Sequence, residues 1–505
     1  MKSTVQIELL PLGKVLRVKQ GAALQEVLFA EGVEFPCGGR GRCKGCRVKV
    51  LAGDLPPPPG QESLLSPEEI AAGWRLACQG RANDDLRLEL AQWEAAILSD
   101  ESPFAFAPRP GLGVAIDLGT TTLVAQVVDL QTGHVLGVIT ALNQQARHGA
   151  DIMSRVDFAL SSAGRAQLQD LVRRQIGGLI DALLLPIAER RAELNAVVIA
   201  GNTVMHHLFC GLDISPLAHH PFEPTEDGLK VFSPADLEWN LPAGARVAFL
   251  PCLGGFVGSD ILCGILATGL HESSTPAILL DLGTNGEMVV GNRDKLLCAS
   301  TAAGPAFEGA RISMGMRAAT GAIAAVEVAG SSLQCRVLGE GPARGLCGSG
   351  LVDAVAGGLE LGLIHPSGRL LTPPSLMLSP PVGLSQGDIR ELQLAKGAIA
   401  AGLRILLAEW GVAPGEVRKV CLAGAFGNYI NRASARRIGL LDFPLEKIVP
   451  VGNTALLGAK MVLGSAHAAE THCAKLRKIL RHVPLNENNQ FQEIFAEAML
   501  FPETS

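Results

Sequence analysis

The chain is poor in tyrosine and tryptophan, carries no excess of basic charge and has no long apolar run. One tyrosine and four tryptophans stand against 58 glycines in 505 residues. Close contacts must therefore come from backbone at tight turns and helix crossings, a habit common in nucleotide-binding α/β proteins. The net charge is −6, and the basic residues are scattered apart from a small group around residues 40–47, so no nucleic-acid-binding surface is expected. No stretch reaches about 18 apolar residues without a charge, and the first residues lack an apolar signal core. The sequence thus predicts a soluble cytoplasmic protein without membrane contact. With 48% hydrophobic residues, the chain can fill the cores of two or three domains.

What is present begins with cysteine. Cys37, Cys43 and Cys46 follow the spacing C-x5-C-x2-C, with Cys78 further on, and glycines 38, 39, 41 and 45 lie between the first three. Such a loop supplies three thiolates from one tight turn and lets the backbone wrap closely around iron and sulfide. A structural zinc site wants paired CxxC units, and only one exists here. A redox CxxC has no need of Cys37 or Cys78, and ordinary core cysteines do not cluster among glycines. The pattern therefore points to a [2Fe–2S] cluster held by Cys37, Cys43, Cys46 and Cys78. It resembles the plant-type ferredoxin spacing, with the longer first gap of the adrenodoxin-type variant. The other eight cysteines are dispersed among apolar residues and read as core.

Around that loop, Val5, Ile7 and Leu9 alternate with polar residues, and Val15, Leu16 and Val18 follow a Pro-Leu-Gly turn, predicting two paired strands. Leu24, Val27 and Leu28 share a helical face within 23–30. Residues 47–51 and 86–90 read as strands, with a stiff spacer at 56–59. These elements predict a β-grasp ferredoxin ending near residue 95. Three prolines in residues 100–111 then argue for an extended link, either a tether or a plain spacer.

Beyond the link the chain repeats itself. An apolar strand runs into DLGTTT at 117–122 and another into DLGTNGE at 281–287; Gly-Asn-Thr recurs at 201–203 and 452–454. The repeat signals an internal duplication. Its chemistry is that of a phosphate clamp, in which an Asp holds Mg²⁺ and its waters while a glycine turn offers N–H and hydroxyl groups to phosphate oxygens. Asn202 and Asn453 offer a contact to ligand or partner, but capping the helices that follow them is the plainer and expected role. His206 and His207 are adjacent, so they face different ways on a helix and make a poor metal pair.

The duplicated segments resemble the acetate and sugar kinase/Hsp70/actin (ASKHA) superfamily, in which two ribonuclease-H-like α/β lobes close on ATP. That resemblance implies a first phosphate loop with Asp117, Gly119, Thr120, Thr121 and Thr122, and a second with Asp281, Gly283, Thr284, Asn285 and Gly286. Glu287 would orient the attacking water or a Mg²⁺-bound water; the plainer alternative is a helix-start acid satisfied by backbone N–H groups. Residues 420–428 match the adenosine loop, with Gly424, Ala425 and Gly427 leaving room for base and ribose, and Gly201 and Gly458 would mark the two connecting helices. The implied division is a ferredoxin at 1–96, a linker at 97–111, lobe I at 112–272 and lobe II at 273–505 with a C-terminal return to lobe I.

Joined to a ferredoxin, this body resembles the reductive activators of corrinoid-dependent methyltransferases. Further segments carrying the resemblance are 143–155 (NQQARHGADIMSR), 302–309 (AAGPAFEG) and 345–353 (GLCGSGLVD). The family resemblance implies ATP-dependent reduction of a Co(II) corrinoid protein to Co(I), using a [2Fe–2S] cluster and ATP with Mg²⁺. The implied partners are a corrinoid protein, an upstream electron donor and, in a homodimer, a second copy. Cys473 stands alone in the tail, so the extra C-terminal four-iron clusters of some members are not expected. The short linker leaves little room for the separate middle domain of larger members. Two rivals are a ferredoxin-fused kinase acting on a small molecule and a redox-sensing interaction protein with a degenerate ATPase fold. For the first, no sequence feature singles out a carboxylate poised against a substrate hydroxyl; the intact acids and Gly-Thr turns oppose the second.

Overall fold

The computed structural model describes residues 4–10, 13–31, 33, 35, 39, 41, 46–58, 60–90, 102, 104–149, 151–283, 285–339, 341–465 and 468–503. They form two compact units, one of Met1–Ala96, Pro305–Gln393 and Phe501–Ser505, the other of Ile97–Gly304 and Leu394–Leu500.

In the first unit, period-two alternation builds a five-stranded sheet. Strands β1 (Thr4–Leu10), β2 (Lys14–Lys19), β3 (Arg47–Ala52), β4 (Trp74–Leu76) and β5 (Leu86–Leu90) lie in the order β2-β1-β5-β3-β4. Val5, Ile7 and Leu9 of β1 and Leu86, Leu88 and Leu90 of β5 point to one buried face, as alternate residues of a strand must. The helix Leu24–Ala30 buries Leu24 and Leu28 completely. The same unit contains a three-stranded sheet of Ala322–Ala329, Ser332–Val337 and Gly345–Leu346 with the helix Gly348–Glu360. There, buried Asp353 accepts a hydrogen bond from the Val326 amide at 3.2 Å.

The second unit displays the duplication as topology. Its first sheet comprises β6 (Leu112–Leu118), β7 (Thr122–Asp129), β8 (Val135–Leu142), β9 (Leu194–Gly201), β10 (Lys230–Phe232) and β11 (Arg246–Phe249), ordered β8-β7-β6-β9-β11-β10. The second comprises β12 (Ala277–Leu282), β13 (Gly286–Gly291), β14 (Leu296–Thr301), β15 (Val420–Ala423), β16 (Ile448–Gly452) and β17 (Leu480–His482), ordered β16-β15-β12-β13-β14-β17. Each begins with an antiparallel three-strand meander whose first strand then pairs in parallel with a later one, β6 with β9 and β12 with β15. The central strands are apolar along their whole length because both faces are covered. On β6, for instance, Val114, Ile116 and Leu118 enter one core and Ala115 enters the other.

Three helices position the site: α1 (Thr203–Cys210), α2 (Ser259–Thr268) and α3 (Thr454–Gly464). Helices α2 and α3 share a core with strands of both sheets, from Ala115 and Val198 on one side to Leu279 and Cys421 on the other. They meet at glycine. A Cβ on Gly458 would lie 2.3 Å from the Cys263 carbonyl oxygen, and one on Gly264 would lie 3.2 Å from Thr454 Oγ1 of α3. The crossing therefore belongs to Gly264 and Gly458, whereas Gly201, expected to mark one of these helices, ends strand β9 against the Leu118 carbonyl.

The described half of the link is bound along the second unit. The Ala107 amide donates to Gly464 O at 3.0 Å, Arg109 Nη2 to Leu463 O at 2.8 Å, and the Arg109 amide to Leu130 O at 3.1 Å. Phe104 and Phe106 pack 5.6 Å apart where Gly464 has no side chain. Pro59, Asp100, Glu101 and Pro103 lie outside the described residues.

Candidate functional site

Strand β6 delivers Asp117 one residue before its end, and the turn 119–121 reverses the chain into β7. The Gly119 amide donates to Thr122 O at 3.0 Å, and a Cβ at Gly119 would stand only 2.6 Å from that oxygen. The turn can close only on glycine.

Three asparagines clasp this turn. Asn143, after β8, donates from Nδ2 to Gly119 O at 2.9 Å and from its own amide to Thr121 O at 2.8 Å. Asn202 caps α1, its Oδ1 accepting from the Met205 amide at 3.0 Å while its Nδ2 donates to Thr120 Oγ1 at 2.9 Å. Asn453 caps α3 through the Leu456 amide at 2.9 Å and donates from Nδ2 to Asp117 Oδ2, also at 2.9 Å. Both capping asparagines thus make the expected cap and a second bond into the phosphate turn. The segment 143–155 extends the clasp inward, where fully buried Arg155 donates from Nε to Gly149 O at 2.8 Å.

The second DLGT segment forms the β12–β13 hairpin, in which Asp281 and Glu287 are directly opposed. Cross-strand partners share a face, so both carboxylates point the same way. Glu287 therefore lies on a strand and does not start a helix. The adenosine-loop segment follows β15, which pairs in parallel with β12 so that Ala423 sits beside Asp281. Gly424 has φ +79°, and a Cβ there would lie 2.6 Å from Asp281 Oδ1 and 2.9 Å from Leu282 O. Gly427 packs more loosely, with 3.4 Å to Leu422. Gly283 donates from its amide to Asn285 O at 3.0 Å. Thr284 lies outside the described residues, and of Ala425 only the backbone is described.

One acid was missed. Asp260, in the first turn of α2, joins the same electrostatic group. Gly258 and Ser259 seat that helix start on the β9 end: a Cβ on Gly258 would lie 2.3 Å from Gly201 O, and Ser259 Oγ donates to Gly201 O at 3.0 Å. Its only mark in the sequence is an acid opening the apolar run 259–268, without a duplicated partner.

These four acids repel one another. Burial pushes Asp117 up to about 6 despite the Asn453 amide, which pulls the other way. Burial and then the Asp117 charge push Asp281 up to about 7. Asp260 rises to about 7 by burial and the charges of Asp281 and Asp117, and Glu287 rises by burial with Asp260 and Asp281. The three aspartates keep a partial opening to solvent, so they are reachable while protein surrounds them. Among the described residues none of the four pairs with a Lys or Arg side chain, and no three acids, His or Cys converge into a cage for a bare ion. A divalent cation that keeps water and phosphate oxygens in its shell fits such a site, since Mg²⁺ is ordinarily held by one or two carboxylates plus substrate phosphates.

In the first unit, Cys37 and Cys43 lie outside the described residues. The Ala77 amide donates to Cys46 O at 3.1 Å, which brings Cys78 beside the cysteine loop despite its distance in sequence. Gln79 Nε2 donates to Gly39 O at 2.8 Å and stands 3.8 Å from Cys78 Sγ. Gly39 and Gly41 take φ of +77° and +65°. Two thiols joined by backbone, a nearby amide donor and left-handed glycines fit a [2Fe–2S] ligand loop. His206 and His207 are buried in α1, bonded to Gly228 O and Thr203 O, with burial pushing His206 down to about 3. They serve the core.

Comparison with known proteins agrees. Residues 7–83 match the 2Fe-2S iron-sulfur cluster binding domain, 112–273 the RACo middle region, and 275–505 the C-terminal domain of RACo, the ASKHA domain. The chain is 33% identical over 427 residues to the corrinoid activation enzyme RamQ of Eubacterium limosum, covering 78% of this chain and 71% of that protein. It belongs to the RACo family. A second member, the [Co(II) methylated amine-specific corrinoid protein] reductase of Methanosarcina barkeri, is 28% identical over 389 residues, 70% of each chain. The solved structure of a reductive activator for corrinoid, iron-sulfur protein superposes with TM-score 0.70 at 27% identity, covering 99% of both chains. An N-terminal ferredoxin followed by an ASKHA body is thus the fold of this RACo-family chain. The expectation of little room for a middle domain is corrected, because 112–273, read as lobe I, is what matches the RACo middle region.

Proposed function

We propose that this chain is an ATP-dependent reductive activator that returns the cobalt of a corrinoid protein from inactive Co(II) to Co(I). The observation that carries the proposal is a glycine turn clasped by three asparagines, with Asp117 one of four mutually repelling acids, on the chain that also brings Cys46 and Cys78 together. The [2Fe–2S] cluster, when bound, supplies one electron. Cys37, Cys43, Cys46 and Cys78 hold it, with Gln79 donating toward the Cys78 sulfur.

In this reading Asp117 and Asp281 hold a hydrated Mg²⁺. Thr120, Thr121 and Thr122, with the turn amides, take phosphate oxygens, as do Gly283, Thr284, Asn285 and Gly286 on the second hairpin. Gly424, Ala425 and Gly427 leave space for the nucleoside. Glu287 and Asp260 are the remaining acids able to orient a water. The three-part division into ferredoxin, lobe I and lobe II belongs to the same proposal.

Energetics require ATP to act by conformation. A plant-type cluster sits near about −400 mV, and a one-electron shortfall of roughly 150 mV costs about 3.5 kcal/mol. A ligand shifts an equilibrium only through differential affinity. Nucleotide must therefore bind more tightly to the state in which Co(II) is reducible, and hydrolysis releases it. The partners are the corrinoid protein, an upstream one-electron donor and, in a homodimer, a second copy. The setting is the cytoplasm, and among the described residues no helix is long and apolar enough to cross a membrane.

The test is anaerobic. Reduced, cluster-loaded protein is mixed with a Co(II) corrinoid protein and cobalt absorbance is followed with and without Mg-ATP. Co(I) forming only with ATP supports the proposal. Continued ATP hydrolysis with cobalt left as Co(II) across several corrinoid partners overturns it.

A further inference from the structure

We infer that Asn202 and Asn453 are positioning residues whose amide nitrogens set the Thr120 hydroxyl and the Asp117 carboxylate for the nucleotide, a role separate from the helix caps their oxygens make. The inference rests on the nucleotide-site reading above.

Each asparagine directly follows a strand, Asn202 after β9 and Asn453 after β16, and caps the helix that comes next. Both reach the first phosphate turn, Asn202 to Thr120 Oγ1 and Asn453 to Asp117 Oδ2, each at 2.9 Å. Their orientation is not arbitrary. Each Oδ1 accepts a backbone N–H from the third residue on, so each Nδ2 must face the turn.

Capping alone does not call for asparagine. Asp and Ser cap about as well, but of these three side chains only Asn carries an acceptor and a fixed donor pair on one short stem. The donor has a chemical consequence at each end. Because Nδ2 of Asn202 occupies a lone pair of Thr120 Oγ1, the hydroxyl proton must point elsewhere and is available to a phosphate oxygen. Because Nδ2 of Asn453 occupies Asp117 Oδ2, the other carboxylate oxygen is left for a cation or its water. The amide also favours the ionised carboxylate against the burial that opposes it.

The test uses the full-length, cluster-loaded protein. Asn202→Asp and Asn453→Asp keep the capping oxygen and lose the donor; Asn202→Ser and Asn453→Ser keep a capping oxygen and lose the amide nitrogen without adding charge. Melting temperature without nucleotide reads the cap. Calorimetric Kd for a non-hydrolysable Mg-ATP analogue, with KM and kcat for ATP hydrolysis, reads positioning. Melting at the wild-type temperature with Kd and KM weakened about tenfold and kcat changed less is the expected result. If an Asp variant melts lower, its Ser counterpart decides. Wild-type Kd and KM in variants that melt normally overturn the inference and leave the nucleotide site standing. A wild-type protein that binds no Mg-nucleotide overturns both.

Discussion

Asp281 is the residue on which the electrostatics of the site turn. It is opposed across the hairpin by Glu287, touched by the place where Gly424 has no side chain, and pushed up to about 7 by burial and Asp117. An unfolded aspartate titrates near about 3.9. Between these values the folded state holds the proton that the unfolded state has lost. Stability from this group is therefore present at low pH and lost as pH rises toward 7. Asp260 and Asp117 act in the same direction. Carboxylates held low by partners, such as Asp129 beside Arg190, act below that window. Without nucleotide, the wild type should lose more melting temperature than Asp281→Asn between pH 5 and 8, and equal losses would dismiss the site as the cause. Mg-nucleotide affinity should run the other way, strengthening as pH rises through about 6 to 7 because a cation needs the ionised acids. Gly424→Ala tests the same carboxylate by steric means. Its φ of +79° and the 2.6 Å approach to Asp281 Oδ1 leave no place for a methyl group. It should cost about 1–3 kcal/mol of stability and remove most of the melting-temperature rise given by Mg-ATP, and a full rise would show that the loop lies outside the nucleotide's footprint.

At the scale of elements, the crossing of α2 and α3 decides how the two sheets of the second unit share a core. Gly458→Ala would place a methyl group 2.3 Å from the Cys263 carbonyl, which is backbone and cannot rotate away. The helices must separate, and about 1–3 kcal/mol of destabilisation should follow, read as a lower denaturant midpoint. An unchanged midpoint would mean that the helices already have slack. This crossing also shows what could be read in the chain and what could not. The strands, the two DLGT turns and the Gly-Asn-Thr caps were legible because each is local, written in alternation, in a turn residue or in a capping residue next to its helix. Of the two glycines read as marking connecting helices, Gly458 lies in α3 but Gly201 ends a strand, since no local pattern separates a glycine that ends a strand from one that meets a helix. Asp260 was invisible for a similar reason: it reaches the site by tertiary packing of Gly258 on Gly201. The second bonds of Asn202 and Asn453 were equally hidden behind their caps. The link likewise read as tether or spacer, because nothing in its prolines announces that Phe104 and Phe106 would settle on Gly464.

At the scale of the whole molecule one chain joins two chemistries, and a single ligand cysteine can test whether they are separable. Among the described residues, the Ala77 bond to Cys46 O brings Cys78 to the cysteine loop, while its neighbour Gln79 anchors Gly39. Cys78→Ser keeps side-chain volume close to the native value and leaves those backbone bonds in place, so the sheet β1–β5 should persist. A serine hydroxyl does not deprotonate to a soft ligand as a thiol does, so the cluster should be lost or its visible spectrum strongly altered. Among the described residues the carboxylate site draws on none of the cysteine loop, since Asp117, Asp260, Asp281, Glu287 and their asparagine partners all belong to 112–304 and 394–500. ATP hydrolysis by the Cys78→Ser chain should therefore stay within about twofold of wild type, while Co(I) formation falls below detection. The converse variant, Asp117→Ala, should keep the cluster spectrum and lose ATP dependence. If Cys78→Ser abolished hydrolysis together with cobalt reduction, with the sheet intact by circular dichroism, the chemistries would not be separable. The electron-carrying domain would then be part of the ATPase switch itself.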